Sequence, residues 1–213
     1  MVKAVIFDMD GLLVDTEIIS YNVYKNFLEG FGYSFPLQEY AQHYSGSLEI
    51  VNVRQLIQNY NLPLTEDECM KIVLTEELRL IAQGVELKKG ARELLAYLQE
   101  HNIRIALATS SFRDRAEGIL LRHNILDLFD VFVFGPEVSR GKPFPDVFLT
   151  ACEKLGEKPE DCMVLEDSEQ GIQAAHAAGI PVICVPDMKV PQPVYKEMTL
   201  DVVSSLDDVV GYL

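Results

Sequence analysis

Val2-Lys3-Ala4-Val5-Ile6-Phe7-Asp8-Met9-Asp10-Gly11 opens as a short apolar run rich in β-branched residues and ends in two carboxylates and a glycine. Such a run reads as a buried strand. Side chains alternate along a strand, so Asp8 and Asp10 point the same way if the extended geometry persists beyond Phe7. Two carboxylates that close repel each other unless a cation or a shared proton lies between them. The stretch therefore asks for a metal ion, for acid–base chemistry, or for both. A capping turn after an edge strand is the plain alternative. A calcium loop fails, because Leu12, Leu13 and Val14 stand where further oxygen ligands would be needed.

Further strand-like runs follow at 103–109, 131–134, 163–166 and 181–185, with a weaker one near 201–204. Helical patterns over 91–101, 113–123, 146–155 and 169–178 lie between them. The alternation predicts an α/β fold, a doubly wound and mostly parallel sheet with helices on both faces. In such a sheet ligands bind beyond the carboxyl ends of the strands, at a topological switch point. The first connection breaks the rhythm: roughly 70 residues separate Gly11 from Gly84 without a convincing strand. Ile19, Val23, Phe27 and Phe31 recur at i+4 spacing with Gly32 as a stop, and Ile50, Val53, Ile57 and Tyr60 repeat the pattern after Ser45-Gly46-Ser47. Thr65-Glu66-Asp67-Glu68 resembles a capping box before a helix carrying Met70, Val73, Leu74, Leu78 and Ile81. Residues 1–14 and 84–213 are thus expected to form the α/β core, and 15–83 a helical cap over its active edge. Pro186 to Pro193 reads as a loop.

Of the 213 residues 48% are hydrophobic and 24% charged, ordinary values for a globular chain. A net charge of −15 and a pI near 4.6 argue against nucleic acid as partner. A small anionic substrate is not excluded, because one metal ion and one lysine in a pocket outweigh distant, screened carboxylates. Cys69, Cys152, Cys162 and Cys184 lack zinc or dithiol spacing and read as buried thiols. The strand begins too early for a signal peptide and no apolar run reaches the ~20 residues of a membrane span, so the expectation is a cytoplasmic protein, a monomer or weak dimer. His43, His101, His123 and His176 have no metal-ligand spacing; only His43, beside Tyr44-Ser45-Gly46, is expected to face substrate.

Polar groups gather at or just past successive strand ends: Asp8 and Asp10, Thr109-Ser110, Lys142 between Gly141 and Pro143, and Glu166-Asp167. Together, Asp8-Met9-Asp10-Gly11-Leu12-Leu13-Val14-Asp15-Thr16, Leu107-Ala108-Thr109-Ser110-Ser111, Gly141-Lys142-Pro143-Phe144-Pro145-Asp146 and Val164-Leu165-Glu166-Asp167-Ser168 resemble the haloacid dehalogenase superfamily of phosphohydrolases, in its β-phosphoglucomutase-like branch. The resemblance spans the core from end to end, with the helical insertion in the family's usual place.

The resemblance implies that Asp8 is a nucleophile forming an aspartyl phosphate, and that Asp10 is the acid/base that protonates the leaving alcohol and then activates water. A carboxylate nucleophile divides a difficult transfer into two easier ones. Thr109 and the Ser110 amide would hold the phosphoryl oxygens, although Thr109 alone also reads as an ordinary cap. Lys142 would neutralise both the phosphoryl group and the nucleophile. Asp8, the Asp10 carbonyl and Asp167 would supply hard oxygen ligands for Mg2+, with Glu166 acting directly or through water. Ser168 would cap a helix whose N-terminus faces the same edge; Asp15 and Thr16 form the entry turn and N-cap of the first helix; and Asp146 starts its own helix.

The implied activity is Mg2+-dependent hydrolysis of a small phosphorylated metabolite, a sugar phosphate or nucleoside monophosphate. A sugar phosphomutase is the nearest rival, but Tyr44-Ser45-Gly46-Ser47-Leu48-Glu49 offers no lysine or arginine for a second phosphate. A dehalogenase does not call for an acid at Asp10. A phosphoacceptor signalling module would also use an aspartate, a hydroxyl and a lysine around Mg2+, but lacks both the helical insertion and the Asp at +2.

Overall fold

A computed structural model describes residues 2–47 and 49–213, and the chain divides into two compact units, Thr16–Glu86 and the rest. In the larger unit six strands run parallel: β1 Ala4–Phe7, β2 Arg104–Thr109, β3 Val131–Phe134, β4 Cys162–Glu166, β5 Val182–Cys184 and β6 Asp201–Val202, in the order β3-β2-β1-β4-β5-β6. The expected doubly wound parallel sheet is the observed one, although the sixth strand is only two residues long.

The strand residues are apolar on both sides because both faces are covered. Ala4 and Ile6 of β1, with Ala106 and Ala108 of β2, pack with Val147, Phe148 and Ala151 of α7 (Asp146–Leu155) and with Ile172 and Ala175 of α8 (Glu169–Ala177). The opposite parity, Val5, Phe7, Ile105 and Leu107, is equally buried, and α5 (Ala91–Glu100) packs against β2 with Leu94, Leu95 and Leu98 inside. Helix α6 (Arg113–Arg122) follows β2, and a short α9 (Pro193–Lys196) begins where the Pro186 to Pro193 loop was expected to end. Order reverses at β1, since β2 and β3 lie on one side of it and β4 to β6 on the other. That reversal places the carboxyl ends of β1, β2 and β4 side by side. The larger unit loses the chain at Asp15 and regains it at Leu87, and the two connectors are tied by an antiparallel Val14–Leu87 bridge and by Lys88, 2.5 Å from Asp187 and 3.8 Å from Asp15.

The smaller unit is helical: α1 Glu17–Glu29, α2 Leu37–His43, α3 Glu49–Tyr60 and α4 Glu66–Gln83. Its core is aromatic, with Tyr24, Phe35, Tyr40 and Tyr44 in mutual ring contact at 5.3–6.4 Å. Buried phenols find carboxylates, Tyr24 donating to Glu49 at 2.6 Å and Tyr40 to Glu17 at 2.9 Å. Gly32, at φ +83°, closes the turn after α1, with Tyr33 N–H on the Leu28 carbonyl and Gly32 N–H on that of Glu29. The Thr65/Glu68 capping box forms as read.

Three expectations in this unit fail. Phe31 is exposed because α1 ends at Glu29, before it, while Tyr24 and Leu28 are buried. Ile50, Leu74 and Leu78 lie on the exposed faces of α3 and α4, leaving Asn52, Val53, Leu56, Cys69, Val73 and Ile81 inside. Thr16 takes helical angles, so its hydroxyl caps nothing and is buried without a hydrogen-bond partner among the described residues. Leu48 of the 44–49 stretch lies outside the described residues, and Tyr44 turns into the aromatic core. No helix of the described residues is long and apolar enough to cross a membrane, and all four cysteines are buried and free.

Candidate active site

Asp8 follows β1 directly and its N–H still donates to the Leu165 carbonyl, so the sheet ladder fixes its backbone. Its side chain is 9% exposed and lies 2.5 Å from Lys142 Nζ. The same ammonium reaches Glu166 Oε1 at 2.6 Å and rests over the Phe148 ring. One buried cation thus serves two buried carboxylates. The trio carries an excess negative charge in a poorly solvated place, which is costly. Burial, reinforced by Glu166 and only partly offset by Lys142, pushes the Asp8 carboxyl up to about 7. Burial acts to lower the Lys142 ammonium, but Asp8 and Glu166 outweigh it and hold the pKa above its ordinary value.

Glu166 ends β4 and is fully buried. Its Oε2 accepts from Asp167 N–H, Ser168 N–H and the Ser168 hydroxyl, each at 2.9 Å. Ser168 is the N-cap of α8 as read, its oxygen accepting from Gly171 N–H at 3.1 Å. Gly171 is itself required: a Cβ there would lie 1.7 Å from Glu166 Oε1. Gly11 makes room in the same way for Asp167, since its Cβ would fall 2.3 Å from Asp167 Oδ2 and its φ is +82°. Among the described residues, Asp8, Glu166 and Asp167 each offer an oxygen within 4.8 Å of the others. An all-oxygen, net-negative set fits a hard divalent cation such as Mg2+.

Thr109 ends β2 almost wholly buried, and its Oγ1 accepts from Ser111 N–H at 3.1 Å, the cap that the sequence allowed. Ser110 beside it is exposed. Gly135 at the end of β3 lets the Ser110 carbonyl approach, where a Cβ would be 2.4 Å away.

The carboxylate of Asp10 is held by Arg115 and Ser111. Its Oδ1 lies 2.8 Å from Arg115 Nη1 and its Oδ2 accepts from the Ser111 hydroxyl at 2.7 Å, while Arg115 also donates to Ser111 Oγ at 2.7 Å. Sequence reasoning missed Arg115 altogether and quoted Ser111 only as part of a motif. The available signal was their i, i+4 spacing where β2 gives way to α6. Asp146, by contrast, opens α7 as expected and pairs with Arg140 at 3.0 Å.

Comparison with known proteins identifies the family. The sequence profile of the family described as haloacid dehalogenase-like hydrolase matches residues 5–185. A Drosophila melanogaster protein named "Probable pseudouridine-5'-phosphatase" is 35% identical over 209 residues, covering 95% of this chain and 89% of its own. The phosphorylated carbohydrates phosphatase of Thermotoga maritima is 34% identical over 178 residues, covering 84% of this chain and 82% of its own. A solved family hydrolase of Deinococcus radiodurans with bound phosphate and sodium superposes with a TM-score of 0.83 at 28% identity, over 98% of this chain and 93% of its own. With its sheet order, its strand-end carboxylates and these relatives, the chain belongs to the haloacid dehalogenase-like hydrolases.

Proposed function

We propose that this protein hydrolyses small phosphomonoesters, sugar phosphates or nucleoside monophosphates, through an aspartyl phosphate on Asp8. The observation that carries the reading is the Asp8 carboxylate, buried at the end of a central strand and held 2.5 Å from Lys142 within an acidic cluster. In the first half an Asp8 oxygen forms a bond to phosphorus, the ester P–O bond breaks, and Asp10 gives its proton to the departing alkoxide. In the second half Asp10 takes a proton from water as its oxygen attacks phosphorus, the Asp8–phosphorus bond breaks and inorganic phosphate leaves. Lys142 neutralises Asp8 and the oxygens of the transferring group. The Thr109 hydroxyl and the Ser110 amide hold the other phosphoryl oxygens. Asp8, Asp167 and the Asp10 carbonyl would hold Mg2+, which supplies charge neutralisation and orients the phosphoryl group. Both oxygens of Glu166 are engaged by Lys142 and by the turn at 167–168, which supports a role through Lys142 or a water rather than as a direct ligand.

The names of the fly and Thermotoga relatives support a phosphorylated sugar or nucleotide as substrate. Residues 15–83 select the ester, as its cap. Hydrolysis is favoured over mutase chemistry because the 44–49 stretch has no cation and Glu49 is committed to Tyr24. Free buried thiols suit a reducing, cytoplasmic setting. Phosphate release across a panel of sugar phosphates, nucleotides and polyol phosphates tests the reading, with Asp8→Asn alongside. Turnover of one class with Mg2+, lost in chelator and lost by at least about a thousandfold in Asp8→Asn, is expected. Near-normal turnover by Asp8→Asn would sink the assignment.

A further inference from the structure

Arg115 occupies the first turn of α6, where the helix dipole disfavours a cation. A local preference broken beside a functional group marks a reason for the break. Its side chain is 16% exposed and Asp10's 29%, so the pair is largely shielded from solvent. What it contributes is geometry. Arg115 Nη1 binds Asp10 Oδ1, the Ser111 hydroxyl binds Oδ2, and Arg115 binds Ser111 Oγ, closing a ring of three contacts at 2.7–2.8 Å. Asp10 sits in the turn that leads into Gly11 and would otherwise sample several rotamers. Both of its oxygens are held by these contacts.

We propose that Arg115, acting with Ser111, is the positioning residue that sets the Asp10 carboxyl in place for proton exchange with the ester oxygen. The inference rests on the role given to Asp10 above. Misplacing a proton-transferring group by a fraction of an ångström slows the step that uses it without weakening ground-state binding. In the first half, loss of the clip therefore slows esters whose alcohol needs a proton to leave and spares those whose alcohol does not; the water step of the second half is common to all esters and lies outside kcat/KM.

The test is kcat/KM, which reports every step up to departure of the alcohol, on p-nitrophenyl phosphate and on simple alkyl phosphates. Wild type, Arg115→Ala, Arg115→Lys, Ser111→Ala and Asp10→Asn are compared, each with its circular dichroism spectrum. Arg115→Ala is expected to lose about tenfold or more on alkyl esters and less than about threefold on p-nitrophenyl phosphate, with the loss in kcat rather than KM. Arg115→Lys should recover part of it, and Ser111→Ala should show a smaller loss of the same selectivity. Equal losses on both esters, a loss carried by KM alone, a gain, or wild-type behaviour would overturn the proposal. If Asp10→Asn itself shows no preference for the good leaving group, the role of Asp10 falls and this inference with it. If Asp10→Asn shows it and Arg115→Ala does not, only the inference falls.

Discussion

Asp8 and Asp10 stand two residues apart and face different cations: Lys142, shared with Glu166, for the first and Arg115 for the second. Lys142 was legible because Gly141 and Pro143 frame it in a local motif. Arg115 was not, because its pairing with Asp10 spans 105 positions and depends on where β2 delivers α6. Glu166 was legible as an acid but not as a fully buried one, since burial is set by α8 and Lys142 together. At Asp8 the consequence is a pH dependence. Its carboxyl is pushed up to about 7, so below that pH the metal-free protein carries a proton there that Mg2+ must displace. Apparent Mg2+ affinity is therefore expected to be flat above pH 7 and to weaken by up to about tenfold per pH unit below it. Calorimetric titration with Mg2+ in two buffers of different ionisation enthalpy measures this directly. About one proton should be released per Mg2+ at pH 6 and almost none at pH 8.5, and equal proton release at both would contradict the raised carboxyl.

At the scale of elements, the parallel strands were the most readable feature, because a strand buried on both faces is a continuous apolar run with sharp ends. Helix existence was readable too, but the buried face and the helix end were not: the apolar spacing sent Leu74 and Leu78 inward when they are exposed, and carried α1 on to Phe31 when it ends at Glu29. The seven-residue α2 was too short to announce itself by period. One position in α8 shows how an element serves the site rather than itself. Alanine favours helix over glycine by about 1 kcal/mol, so Gly171→Ala should stabilise α8 if local propensity ruled. A Cβ there would instead overlap the Glu166 carboxylate, which four hydrogen bonds and full burial keep from yielding. The expected outcome is a loss of about 1–3 kcal/mol in urea unfolding, together with lower kcat as Lys142 loses its second partner. A stabilised and fully active Gly171→Ala would mean that Glu166 is free to move.

Taken whole, the molecule sets a long-range field against a short-range one. Its net charge of −15 repels a phosphate dianion at a distance, whereas Lys142, and the Mg2+ proposed for Asp8 and Asp167, would attract it at contact. Salt screens these two unequally. The Debye length falls from about 30 Å at 0.01 M to about 8 Å at 0.15 M, which removes repulsion from distant surface carboxylates and leaves contacts of a few ångströms nearly intact. Added salt should therefore raise kcat/KM for a phosphomonoester, by roughly twofold or more over that range, through a lower KM with kcat unchanged. Mg2+ must be saturating, because screening also weakens its own attraction to an acidic protein and would pull the result the other way. Steady-state kinetics in sodium chloride at fixed, saturating Mg2+ separate the two fields. A fall in kcat/KM would mean that the cations of the site reach out beyond the surface charge, and that the phosphate is steered from afar rather than held only on arrival.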